Sequence, residues 1–166
     1  AVDEVLRRLD DENEIRKRVI AFTLAMDSRD AALYRSSWAD EIDLDLPPLG
    51  GLTLSGRLRA DHYTADAIAL VSEFKATQHV STNHLISVKG DRGDCTCYTL
   101  ATHYLPVDRG DPWLTVGVRY DLSACRLADH GWRFDRFRLK ALWARGNVRL
   151  WDEVGMRLAK RRGISQ

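Results

Sequence analysis

The second half of the chain consists almost entirely of segments with the apolar–polar alternation of β-strands, and this limits the folds open to it. Short stretches rich in glycine and aspartate separate the segments, which is typical of turns. Strands joined by short turns pair antiparallel, so we expect a meander of four long strands. The predicted strands are 77–88, 95–106, 113–125 and 132–142, with the last turn at 128–131.

The beginning of the chain has helical periodicity instead. Apolar residues recur at the spacing of one helix face, at Ile15, Val19, Phe22 and Met26. Asp10 or Asp11 offers an N-cap for this helix, and we expect the helix to end around 27–30. A second short helix then follows, with Asp30 as its N-cap.

The middle of the chain switches between the two periods. Residues 41–46 alternate strictly and predict a strand, and 52–54 form a short partner for it after a turn at two glycines. A third helix is predicted at 60–74, and Asn147 caps a closing helix that reaches about 161. Helices followed by a meander predict one α+β domain over 1–166, with an antiparallel sheet and the helices on one face.

The composition excludes several classes of protein. Lys and Arg total 25 and Asp and Glu total 24, so no net field attracts nucleic acid. No apolar run is long enough for a membrane span, and no signal-peptide pattern occurs. The three cysteines do not form a disulfide framework, which favours a cytoplasmic protein.

The motifs of common cofactor sites are missing from the sequence. There is no HxH, HExxH or CxxC arrangement for a metal, and no GxGxxG or Walker loop for a nucleotide. A serine nucleophile elbow is missing as well. We therefore predict neither metal nor cofactor.

Four segments together carry a resemblance to a known family: AMDSRD at 25–30, TQHVSTNH at 77–84, GVRYD at 117–121 and GWRF at 131–134. Their order and spacing resemble the SnoaL-like branch of the NTF2-like superfamily. Members of that superfamily include scytalone dehydratase, the lindane dehydrochlorinase, bile-acid dehydratases and polyketide cyclases. The resemblance implies an α+β cone, in which N-terminal helices pack on a strongly curved mixed or antiparallel sheet and close an apolar pocket.

The resemblance also implies a catalytic pair. In dehydratase-type members, an Asp at the end of the first long helix binds a His on the first long strand, which matches Asp27 and His79. A neutral imidazole can accept a proton near pH 7, and a carboxylate on its other nitrogen orients the ring. Tyr120 stands where we align a second catalytic histidine of these relatives, and Met26 replaces an expected tyrosine. Taken alone, Asp27 also fits a turn aspartate and His79 an ordinary strand histidine.

Further candidates follow from strand parity. Asn83 shares a face with His79 and is a candidate pocket residue, whereas His84 falls on the other face unless a bulge intervenes. His103 either lines the pocket as a second acid or base or is exposed. Tyr120 is either a hydrogen-bond donor to substrate or a core aromatic. The same choice between core and pocket wall applies to Trp38, Tyr63 and Phe74.

These features predict a cofactor-free lyase of the dehydratase type, acting on a small, apolar, oxygenated substrate that is polyketide-, terpenoid- or steroid-like. An isomerase or cyclase using the same pair is an alternative. A second alternative is a non-catalytic module that binds small molecules or assembles. The resemblance also implies a homo-oligomer, a dimer or trimer, with no nucleic acid or membrane partner.

Overall fold

The described part of the chain forms four helices and six strands. The computed structural model describes residues 1–128 and 131–164, so Asp129 and His130 of the predicted last turn lie outside the described residues. The helices are α1 (Val2–Ser28), α2 (Ala31–Arg35), α3 (Ala60–Ser72) and α4 (Leu150–Arg161). The strands are β1 (Trp38–Asp45), β2 (Ser55–Arg59), β3 (Ala76–Lys89), β4 (Arg92–Tyr104), β5 (Trp113–Leu127) and β6 (Gly131–Gly146).

The six strands form one mixed sheet in the order β2-β1-β6-β5-β4-β3. The predicted meander is confirmed, since β3 to β6 pair antiparallel in sequence order. β1 joins β6 as a parallel neighbour. Bulges in β3 and along the β5–β6 pair bend the strands, because an extra residue on one strand increases local twist. The sheet is curled and not closed, which confirms the predicted α+β class with a strongly curved mixed sheet.

Two apolar clusters hold the helices on the sheet. The larger joins α1, α2 and α3 to the sheet and is centred on aromatic rings, among them Phe22, Trp38 and Phe134. The smaller joins α4 to the end of α3 and to the β4–β5 region, through residues such as Leu114 and Val154. No helix in the described parts of the chain combines the length and apolar character needed to cross a membrane.

The first helix begins earlier than predicted. It starts at Val2, so Asp11 is not an N-cap but a buried residue inside α1. Its carboxylate accepts two hydrogen bonds from Arg126, at 2.8 and 2.7 Å, and one from Trp132 Nε1 at 2.9 Å. These partners lie far away in sequence, which is why local capping patterns could not indicate them.

Of two other local predictions, the N-cap of α2 is confirmed and the position of the strand that pairs with β1 is wrong. Asp30 is confirmed as the N-cap of α2, because its Oδ1 accepts the Leu33 N–H at 2.9 Å. The partner of β1 lies at Ser55–Arg59 rather than at 52–54. Leu49 and Leu52 instead form a single bridge within the turn, which delays the start of the partner strand.

Candidate active site

Asp27 is held at the end of α1 by an unusual helix terminus. Arg29 caps the helix in the left-handed conformation, at φ 60°. Its side chain turns back and donates Nη1–H bonds to the main-chain oxygens of Met26 (2.7 Å) and Asp27 (3.0 Å). The last carbonyls of a helix lack partners within the helix, and a cation there also offsets the negative end of the dipole. Arg29 therefore stabilises a terminus at which an aspartate would otherwise be unfavourable.

The carboxylate of Asp27 is bound by two residues of β3. His79 Nδ1 lies 2.7 Å from Asp27 Oδ1, and the His79 main-chain N–H donates to Oδ2 at 2.8 Å. Thr77 Oγ1 donates to Oδ1 at 3.0 Å. Because a carboxylate only accepts hydrogen bonds, we assign the imidazole proton to Nδ1. Nε2 then keeps its lone pair and is the nitrogen able to take up a proton.

Asp27 is ionised in this setting. Burial is the largest single influence and by itself raises the pKa of Asp27. The hydrogen bonds from the ring and main chain of His79, with that of Thr77, outweigh burial and lower the pKa below its ordinary value. The His79 side chain is 6% exposed, so little water competes with the Asp27 carboxylate for the ring.

His79 lines a cavity of about 300 Å³ on the concave side of the sheet. Its polar lining groups are the side chains of His79, His103 and Tyr120. The remaining lining residues are apolar or aromatic: Pro47, Leu49, Ala101, Leu114, Val116, Val118, Leu139, Ala141, Ala144, Val148 and Trp151. An apolar cavity with a few convergent polar groups is typical of a small-molecule site.

The elements that close this cavity differ from those predicted. None of the described lining residues belongs to α1, α2 or α3, so the N-terminal helices do not close the pocket. Trp151 of α4 and Val148 before it form one wall, and Pro47 and Leu49 after β1 form another. The N-terminal helices instead pack in the larger apolar cluster.

His103 is the second histidine of the site. It is 3% exposed, its ring centroid lies 5.8 Å from that of His79, and its Nδ1 lies 3.3 Å from the Leu114 oxygen. Burial, assisted by the neighbouring His79, lowers the pKa of His103 from 6.5 to about 4. A neutral second imidazole therefore stands beside His79 near pH 7, and it comes from β4 rather than from the position of Tyr120 on β5.

Tyr120 lines the cavity from β5 and also belongs to the aromatic core. Its ring packs against Phe137 and Phe22, with centroids 4.8 and 5.8 Å apart. Burial raises the pKa of Tyr120 far above its ordinary value, so the phenol stays protonated and can donate a hydrogen bond. Tyr120 is thus a core aromatic, and its position at the cavity also leaves it a candidate hydrogen-bond donor to substrate.

Asn83 does not lie at the cavity. It has a φ of 56° in a bulge between Thr82 and Leu85, and its side chain is exposed. The extra residue reverses the alternation of β3. After Ser81, the next inward-facing residue is therefore His84 and not Asn83. His84 is half-buried as a result, with Nε2 3.1 Å from Ser81 Oγ. Strand parity failed here because it assumes an unbroken strand.

The three aromatic candidates for the pocket wall lie in the core instead. Trp38 packs against Phe22 at 5.1 Å between centroids, and Tyr63 accepts a hydrogen bond from Tyr34 at 2.9 Å. Neither lines the cavity. Phe74 also stays outside it but supports its wall, since its ring lies 4.7 Å from His103 and 5.2 Å from Trp151.

Arg29, Thr77 and Trp151 were missed by the sequence reasoning. Thr77 has the same strand parity as His79, and this signal could have placed it beside Asp27. For Arg29, the only signal in the sequence is the general tendency of cations to lie near helix C-termini. Trp151 had no sequence signal, because it reaches the site through the packing of α4. No three His, Cys, Asp or Glu side chains within 1–128 and 131–164 come together as a metal site.

The low pKa of His103 predicts a pH-dependent stability. Between pH 6.5 and 4 the unfolded chain protonates this residue while the folded protein does not, so the free energy of unfolding falls as the pH falls. The loss from this residue reaches up to roughly 3 kcal/mol. We expect urea denaturation to show a shallower decline for His103→Gln than for wild type. A control, His62→Gln at an exposed position of α3, should follow wild type; equal slopes for all three proteins would refute the prediction.

Comparison with known proteins agrees with this architecture. A SnoaL-like domain model matches residues 7–138. The protein Kfla4162 from Kribbella flavida is 26% identical, with a TM-score of 0.75 and coverage of 82% of this chain and 93% of that one. A proposed scytalone dehydratase from Novosphingobium aromaticivorans has a TM-score of 0.70 at 15% identity, covering 84% and 89%. Hexachlorocyclohexane dehydrochlorinase LinA-type3 from Novosphingobium barchaimii has 0.64 at 16%, covering 83% and 93%.

The last two likenesses show the fold alone, because their identities are low. No curated protein gives a significant sequence match. The family resemblance expected from the sequence is confirmed by the domain model, which covers well over half of the chain. The protein therefore belongs to the family of SnoaL-like domains and has the NTF2-like fold.

Proposed function

We propose that the protein is a cofactor-free lyase of the dehydratase type, in which His79 takes a proton from a carbon atom of the substrate. One observation carries this proposal: Asp27 fixes the proton of His79 on Nδ1, and the ring borders an otherwise apolar cavity. A positioned neutral imidazole is the usual general base at neutral pH. The ordinary strand histidine considered above would not need a half-buried carboxylate on one ring nitrogen.

The proposed reaction is an elimination that returns the enzyme to its starting state. His79 Nε2 removes a proton from carbon, the electron pair of that C–H bond forms a carbon–carbon double bond, and the bond to the leaving hydroxyl breaks. The imidazolium of His79 then gives its proton to the departing oxygen, which leaves as water. Asp27 stabilises the imidazolium, and Tyr120 can donate a hydrogen bond to an oxygen on which negative charge develops.

The cavity supports a class of substrate. Its volume of about 300 Å³ lies at the small end of ligand sites, and its walls are mostly apolar. A carbon acid needs a neighbouring carbonyl group to hold the developing charge, and Tyr120 and His103 are the polar lining groups besides His79. We therefore propose a small cyclic β-hydroxy ketone, as found among polyketide- and terpenoid-like compounds.

The relatives support elimination over the other outcomes of the same proton transfer. The dehydrochlorinase and the proposed dehydratase that share the fold are both named for eliminations. An isomerase or cyclase would use His79 in the same way and differ only in the fate of the carbanion. A binding module would hold the same ligand without taking its proton.

A substrate screen in heavy water tests the proposal. Wild-type protein is incubated with a panel of cyclic β-hydroxy ketones in D₂O, and mass spectrometry follows loss of water and uptake of deuterium. We expect elimination with at least one compound, and a loss of about 10²–10⁴-fold in rate for His79→Gln. The exposed His62→Gln provides a matched control and should retain the wild-type rate.

The same screen separates the alternatives. Deuterium uptake without loss of water would indicate an isomerase or cyclase. Binding of a compound with neither reaction would favour the non-catalytic module. Undiminished turnover by His79→Gln would refute the role of this residue as the base.

A further inference from the structure

The guanidinium of Arg29 lies next to the catalytic pair without touching its carboxylate oxygens. Besides the two main-chain oxygens at the end of α1, its Nη1 contacts Thr77 Oγ1 at 2.6 Å, and its Nη2 contacts the Phe74 oxygen at 3.3 Å. The side chain is half-buried. Arg29 thus connects three segments that meet at the site: the end of α1, the end of the α3 region and the start of β3.

This contact determines which way the Thr77 hydroxyl points. Arginine has no acceptor, so Thr77 Oγ1 must accept the hydrogen bond from Arg29. The single hydroxyl hydrogen of Thr77 is then directed to Asp27 Oδ1, 3.0 Å away. The hydrogen bonds therefore run in one direction, from Arg29 through Thr77 to Asp27, and meet there the bond from the His79 ring.

The indirect connection has a chemical advantage over a direct ion pair. A bidentate arginine would place two further donors directly on the two oxygens of Asp27 that bind the ring and the main-chain N–H of His79. Through Thr77, the positive charge of Arg29 acts on Asp27 while its two oxygens remain available to His79. The carboxylate is also held in one orientation by bonds from two sides.

We propose that Arg29 and Thr77 are positioning residues, which hold Asp27 in the orientation that keeps the proton of His79 on Nδ1. The kinetic consequence of this proposal rests on the proposed role of His79 as base. Its structural consequence, the tautomer of His79, does not.

Nitrogen NMR of the histidine rings tests the proposal without a substrate. In wild type we expect His79 as a single Nδ1–H tautomer. Thr77→Val, which keeps the shape but loses the hydroxyl, should give a mixture of tautomers, and Thr77→Ser should restore the wild-type spectrum. Arg29→Met removes the donor that directs the Thr77 hydroxyl to Asp27, and it should also give a mixture of tautomers. Thr82→Val, at an exposed position of the same strand, is the matched control and should keep the wild-type spectrum.

Kinetics with a substrate from the screen add a second measurement. We expect Thr77→Val to lower kcat about 10-fold, as for the loss of one hydrogen bond to a charged group, with little change in KM. A single Nδ1–H tautomer of His79 in both Thr77→Val and Arg29→Met would overturn the proposal. If Thr77→Val does not fold, an unchanged His79 spectrum in Arg29→Met alone overturns it. A normal rate for His79→Gln would refute the proposed function and leave the NMR result standing, so the two failures are distinguishable.

Discussion

Replacing Asp27 with asparagine is expected to slow proton abstraction roughly 10³–10⁴-fold while leaving the fold intact. The carboxylate offers two acceptor oxygens, and the structure uses both. Asparagine has a single acceptor oxygen. If that oxygen keeps the His79 main-chain N–H, the amide group faces the ring and donates to Nδ1. The ring proton then moves to Nε2, and the nitrogen at the cavity can no longer accept a proton.

Ring-nitrogen NMR and steady-state kinetics on the same protein check this result. The NMR spectrum should show the Nε2–H tautomer of His79, and kcat/KM should fall by the stated factor. Asp30→Asn is the matched control, since Asp30 caps α2 through Leu33 and asparagine caps a helix equally well. Turnover of Asp27→Asn within tenfold of wild type would exclude an orienting role for this carboxylate.

Replacing Phe22 with alanine is expected to lower the free energy of unfolding by about 3–5 kcal/mol, the usual loss for a large buried side chain. Phe22 is 1% exposed and is the centre of the aromatic cluster. Its ring centroid lies between 5.1 and 6.3 Å from those of five other rings, namely Tyr34, Trp38, Tyr120, Phe134 and Phe137. Alanine would leave a cavity that none of these rings can fill without losing contacts elsewhere.

Urea denaturation followed by circular dichroism measures the loss. Leu24→Ala provides the control on the same helix, because Leu24 is 57% exposed and its replacement should change the free energy of unfolding by no more than about 0.5 kcal/mol. A loss below about 1 kcal/mol for Phe22→Ala would mean that the rings are not packed closely around it.

The meander was predictable because strand periodicity and turn residues are local signals. The parallel pairing of β1 with β6 was not, since Trp38 and Phe134 are brought together by packing and no short motif records their contact. The start of α1 was missed for a related reason. Asp11 matches a capping pattern, but its oxygens bind Arg126 and Trp132, which lie more than a hundred residues later in the sequence.

The site residues also differ in whether the sequence alone could indicate their positions. Family resemblance brought Asp27 and His79 together, and the structure shows them in contact at 2.7 Å. His103 lines the cavity, but its burial depends on Phe74 and Trp151, which lie far from it in sequence. Asn83 left the inner face through a bulge that a non-glycine residue enters only with φ above zero, and asparagine is one of the residues that tolerate this conformation.

The wall formed by Val148 and Trp151 lies outside the part of the chain that defines the family. The SnoaL-like domain model ends at residue 138, so Asp27 and His79 lie within the matched residues, whereas this wall comes after them. α4 is joined to the sheet by its own apolar cluster. Substitutions in this terminal segment can therefore reshape one side of the cavity without altering the contact between Asp27 and His79.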